Sequence, residues 1–77
     1  MQVPDWFAGD VIVAASEPQR GALRHAQRVL RLPETGDMDD MTRASLRGFQ
    51  GLFGLPISGM LDLKTAIKIE QVRNQFA

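Results

Sequence analysis

Residues 32–42 read LPETGDMDDMT and residues 55–65 read LPISGMLDLKT, two versions of one phrase set 23 positions apart. Leu32/Leu55, Pro33/Pro56, Gly36/Gly59, Asp39/Asp62 and Thr42/Thr65 are identical, and Thr35/Ser58 and Met38/Leu61 are conservative exchanges. Upstream, Gln27 falls on Gln50 and Leu30 on Phe53. A short duplicated phrase is the first thing to decode in a chain, because it marks a repeated structural unit. Each copy holds a helix-stopping proline, a glycine turn and an Asp-x-x-Thr start signal. The phrase therefore predicts the end of one helix, one turn and the beginning of the next.

Working outward, a first helix begins at Ser16, where Ser16-Glu17-Pro18-Gln19 fits a capping box with proline in the tolerant first turn. Ala22, Leu23, Ala26, Val29 and Leu30 then form an apolar stripe at helical spacing. A second helix starts at Asp39 and offers Met41, Leu46, Phe49, Leu52 and Phe53 for packing. Its Gly48 and Gly51 suggest the close approach of another backbone, and Gly54 suits a left-handed C-terminal cap. A third helix starts at Asp62, with Ala66, Ile69, Val72 and Phe76 inward and Lys64, Lys68, Glu70 and Arg73 outward. The fold class is all-α: a compact three-helix bundle over residues 16–77, with an extended N-terminal arm over residues 1–15 that is strand-like at Val11–Val13.

Size and composition bound the function. The chain has 77 residues, room for one small core, and its 44% hydrophobic content is ordinary for a globular domain. Nine basic residues cancel nine acidic ones, which removes the bulk electrostatic case for nucleic acid or a membrane surface as partner. There is no cysteine for a disulfide or a thiolate metal site. No secretion signal and no membrane-spanning stretch is read.

Single residues are weighed the same way. Asp39, Thr42, Asp62 and Thr65 read as helix caps, and Gln27 and Gln50 as amides that bond the adjoining turns. Glu34, Asp37, Asp39 and Asp40 lack the alternating ligand spacing of a calcium loop. Arg20, Arg24, Arg28 and Arg31 make a cationic face whose default is solvation, with an anionic polymer or an acidic protein surface as functional alternatives. His25 stands alone. LPETG at 32–36 matches a sortase signal in letters, but DMDDMT follows where an apolar segment and basic tail belong. No catalytic residue, cofactor or metal is assigned, and the chain reads as a non-enzyme. Trp6 and Phe7 have two open readings: a lid on the small core, or an anchor for a protein partner.

AQRVL at 26–30, TGDMDDMTRASLRGFQ at 35–50 and FGLPISGMLDLKT at 53–65 together resemble the peptidoglycan-binding domain family. Phe49-Gln50, Gly54-Leu55-Pro56 and Ser58-Gly59 carry most of the likeness, which covers residues 17–72. The resemblance implies a non-catalytic three-helix module that holds its protein on bacterial cell-wall peptidoglycan. Asp37, Asp40, Arg43 and Arg47, on the first glycine turn and the outer face of the second helix, are then candidate ligand contacts, together with Ser58. The alternative is a structural or interaction protein, such as a bacteriophage particle component or an adaptor, docking through Trp6 and Phe7. Its motivation is the short chain, the aromatic arm, and Met38-Asp39 standing where the family has an aromatic residue and a glycine. The sequence assigns no localisation; the two readings correspond to the cell wall and to a virion.

Overall fold

A computed structural model describes residues 3–7, 9, 11–14 and 16–76, with the backbone alone at Phe76. The elements run β1 (Val11–Ile12), α1 (Glu17–Val29), α2 (Asp40–Leu52), β2 (Leu61–Asp62) and α3 (Leu63–Phe76). The three helices form the bundle. The two strands pair antiparallel, Val11 opposite Asp62 and Ile12 opposite Leu61.

Each helix delivers one fully buried aliphatic residue to the centre, Leu23, Leu46 and Ile69, and these recur at the same 23-residue spacing as the turns. Ala22, Ala26 and Ala66 let the helices approach, while Ile12 and Leu61 close the core from the strand pair. Burying each of these larger side chains contributes roughly 1.5–3 kcal/mol. Ile12 is 0% exposed, so the segment that precedes α1 forms part of the core. With overall extents of 27 × 25 × 23 Å, no extension protrudes among the described residues.

Both α1 and α2 end in a Schellman motif, in which two amides beyond the helix bond back to its last carbonyls. Leu32 N donates to Gln27 O (2.8 Å) and Arg31 N to Arg28 O (3.1 Å). Twenty-three residues on, Leu55 N donates to Gln50 O (2.8 Å) and Gly54 N to Gly51 O (3.4 Å). The motif needs a left-handed residue, supplied by Gly54 at φ 70° but by Arg31 at φ 61°. Asp39 and Asp62 start the next helices, their Oδ1 atoms accepting from Thr42 N and Thr65 N, both at 2.9 Å.

Several sequence expectations are corrected. Ser16 occupies the N-cap position of α1, but its side chain makes no capping bond. Gln19 turns instead to the N-terminal segment, accepting from Val13 N (3.2 Å) and donating to Val11 O (3.1 Å). A primary amide carries the same donor and acceptor pair as a peptide group, so it substitutes for a neighbouring strand. On α2 the inward face is set by Thr42, Leu46 and Gln50, which leaves Met41 and Leu52 exposed. Phe53 lies past the helix end, its ring 4.7 Å from that of Phe49 and beneath the Lys68 ammonium. No backbone presses on Gly48 or Gly51. A Cβ at Gly48 would meet nothing within 4 Å, and one at Gly51 only the Ile57 side chain. Glu70, expected outward on α3, is mostly buried beneath Trp6. Phe76, expected on the inner stripe, has a side chain outside the described residues.

Candidate functional site

The interior of each turn is organised by one buried glutamine. Gln27 Oε1 accepts from Gly36 N (3.0 Å), and Nε2 lies within donating distance of Thr35 Oγ1 (3.1 Å), Asp37 O (3.1 Å) and Thr42 Oγ1 (3.0 Å). Gln50 repeats every bond: Oε1 with Gly59 N (2.9 Å), Nε2 with Ser58 Oγ (3.2 Å), Met60 O (2.9 Å) and Thr65 Oγ1 (2.9 Å). One side chain thus ties the end of its own helix to the turn and to the start of the following helix. The glycine it holds is left-handed in both copies, φ 72° at Gly36 and 74° at Gly59. An arginine covers each glycine, Arg24 the first and Arg47 the second.

The exteriors of the two turns differ. Around the first, three of the four arginines of the α1 face meet a carboxylate: Arg20 bonds Asp37 (2.9 Å), Arg24 bonds Glu17 (2.8 Å) and Arg28 bonds Glu34 (2.9 Å), while Arg31 forms no ion pair among the described residues. The Arg24 guanidinium holds the Glu17 carboxyl below the usual range, and Arg28 does the same for Glu34. The cationic face of α1 is therefore largely paired from within the chain, with Arg31 left at its end. Asp39, expected as a cap, is held low by its bonds from Thr42. The four acidic residues 34, 37, 39 and 40 each have a separate partner. Among the described residues no group of three or more His, Asp or Glu is arranged to hold a metal ion.

At the second turn, positions equivalent to Arg28, Glu34, Asp37 and Asp40 are Gly51, Ile57, Met60 and Leu63. Leu52 and Ile57 are 78% and 62% exposed, and Met60 is also open to solvent. A groove of about 290 Å³ runs between this turn and the first, lined by Val13, Met38, Arg43, Ser58 and Met60. Of the five candidate ligand contacts, the structure gathers Arg43 and Ser58 in this groove, with Arg47 beside them over Gly59. Asp37 is paired with Arg20, and Asp40 bonds Arg43 (3.2 Å) from the first turn of α2. The Ser58 hydroxyl is engaged internally: it accepts from Gln50 and from Met60 N (3.1 Å) and donates to Asp62 Oδ2 (3.5 Å).

Trp6 and Phe7 lie half-buried against the core. The Trp6 indole N–H donates to Glu70, which also accepts from Arg73 Nε (2.7 Å). Trp6 tilts over the His25 ring at 4.7 Å, and His25 Nε2, buried without a hydrogen bond, is 3.9 Å from Glu70 Oε2. Burial lowers the His25 pKa, against the pull of the Glu70 charge. Burial raises that of Glu70, but the Trp6 and Arg73 bonds outweigh it and the net shift is downward. Sequence reasoning missed this cluster. The one available signal was that a covered indole N–H needs an acceptor.

The fold and its two turns define a small three-helix module with one interior design and two exteriors. Compared with known proteins, the chain matches no family model, no curated protein and no solved structure. No helix among the described residues is long and apolar enough to cross a membrane.

Proposed function

We propose that this protein is a non-catalytic binding module for bacterial cell-wall peptidoglycan. The supporting observation is the pair of Gln-cradled glycine turns in a three-helix frame, the same motifs that carry the family resemblance. The groove beside the second turn is the binding surface, with Arg43 and Arg47 for charged groups and Met38, Met60 and Val13 for apolar ones. The test is co-sedimentation with purified sacculi at low and moderate salt. Retention at low salt that weakens with added salt is expected from arginine contacts. Protein wholly in the supernatant at both salts overturns the reading.

A second reading is an interaction protein, such as a bacteriophage particle component or an adaptor, that uses this fold to hold another protein. Exposed Leu52, Ile57 and Met60 favour it, since all three belong to the end of α2 and the turn that follows, and exposed apolar patches on a small domain mark contact surfaces. Trp6 and Phe7 would then meet the partner from a segment packed on the core, since Ile12 is buried and Trp6 is bonded to Glu70 of α3. The Leu52→Ser/Ile57→Ser variant separates the two readings. Wall retention lost with the variant assigns the apolar face to the wall, and retention unchanged leaves that face to a protein partner.

A further inference from the structure

The molecule contains its own reference for what the second turn lacks. Extending the 23-residue register upstream places Glu17 on Asp40, Arg20 on Arg43 and Arg24 on Arg47. At the first turn two arginines meet two carboxylates. Glu17 serves both Arg24 (2.8 Å) and Arg20 (4.0 Å), while Asp37, on the turn itself, bonds Arg20 (2.9 Å). At the second turn the same two arginines meet one carboxylate. Asp40 bonds Arg43 from the helix start, the place of Asp37 is taken by Met60, and Arg47 forms no ion pair among the described residues. The backbone beneath is held by an equivalent set of glutamine bonds, so the missing element is the carboxylate itself.

We infer that Arg43 and Arg47 form a subsite for one carboxylate of the ligand, which takes the place that Asp37 occupies on Arg20 in the first turn. The Asp40 pair does not close it, since the Asp40 side chain is 105% exposed and free to swing into water. An arginine fork meeting an incoming carboxylate makes charge-assisted bonds stronger than those to neutral groups. The groove wall adds the second half of the specificity. Met38, Met60 and Val13 flank Arg43, so the carboxylate must sit next to apolar groups. That combination belongs to a short peptide with small apolar side chains, and sugar hydroxyls alone do not supply it. The inference rests on the wall-binding reading and assigns the contact to the peptide part of the wall polymer.

The experiment compares sacculi carrying free carboxyl groups with sacculi whose carboxyls have been converted to amides. Retention of the native chain falls by about tenfold or more on the amidated material, the loss expected for one charge-assisted contact. The Arg43→Gln/Arg47→Gln variant binds both materials equally weakly. Arg31→Gln, which alters an exposed arginine at the far end of α1, keeps the preference. Equal retention of the native chain on both materials overturns the subsite and leaves wall binding standing. Absence of retention on either overturns the wall reading. A direct probe then decides the subsite alone: acetyl-dialanine against its C-terminal amide, followed at the arginine Nε–H signals. Shifts confined to Arg43 and Arg47, and to the free acid, support it, and identical responses to acid and amide refute it.

Discussion

The two turns are the same object on the inside and opposite objects on the outside. Gln27 and Gln50 make matching bonds to glycine, turn hydroxyl, carbonyl and threonine. Outside, Glu34 and Asp37 bond to arginines in the first copy, where Ile57 and Met60 lie open to solvent in the second. The difference teaches where change is tolerated. An interior amide that serves several partners at once has no substitute of the same shape and chemistry, whereas an outward side chain answers only to water or to a ligand.

If the interiors are equivalent, damaging either should cost the same. Gln27→Ala and Gln50→Ala each strand a buried glycine N–H and a turn carbonyl, a loss of about 3 kcal/mol or more. For a domain this small that is a large share of total stability. Urea unfolding of the two variants measures it, and losses that differ by more than about half would break the equivalence.

Gly36→Ala and Gly59→Ala force a side chain into left-handed backbone, at about 1–2 kcal/mol each. The two losses should be alike, since the added Cβ falls 3.3 Å from Arg24 Cγ at the first and 3.2 Å from Arg47 Cγ at the second, and the Arg24 guanidinium end can move aside. Asp62→Ala removes the cap bond to Thr65 N and should lower stability by about 1 kcal/mol. At the helix ends the copies are unequal, and exchange should level them. Arg31→Gly relieves a left-handed arginine and should gain about 1 kcal/mol, while Gly54→Ala, with open space around the added Cβ, loses about as much. Thermal melts are sensitive enough to rank these variants.

The smallest expected effect is a pH dependence whose upper part belongs to His25 on the N-terminal side. Folded His25 has a pKa below its ordinary 6.5 because burial disfavours the cation. As pH falls below 6.5 the unfolded chain takes up a proton that the folded one resists, so stability declines towards acid. The Glu70 charge opposes this and keeps the slope shallow. Asp39 adds to the decline further down. Its lowered pKa means a contribution present above 3.8 and lost as pH falls through its folded value. His25→Gln should flatten the upper part of the profile and leave the lower part intact.

Legibility in the sequence followed the range of the interactions. The three helices, both aspartate caps and the structural role of Gln27 and Gln50 were readable, because every bond of those caps and glutamines joins residues no more than 15 positions apart. A duplicated local pattern shows such bonds twice. Ser16 and Gln19 also had a local pattern, and it misled, because Val11 and Val13 offered the Gln19 amide a better-matched pair of partners. Phe53, Met41 and Leu52 were hydrophobic enough to be assigned to the core, but a bundle of three short helices has only one narrow interior face per helix. Of the candidate contacts, Arg43, Arg47 and Ser58 came together, and Asp37 was claimed by Arg20.

By itself the sequence determined the chain's punctuation: where each helix stops, how each turn is tied and where the next helix starts. It could do so because caps, prolines, glycines and turn-binding amides act over a few residues and leave periodic traces. Only the tertiary structure decided that Ile12 completes the core, that Trp6 finds its acceptor 64 residues away at Glu70, and that Arg20 and Arg24 each meet a carboxylate at one turn while Arg43 and Arg47 face a single carboxylate at the other. Those outcomes depend on which surfaces meet once the chain has collapsed, and distances of that kind leave no mark in a linear pattern.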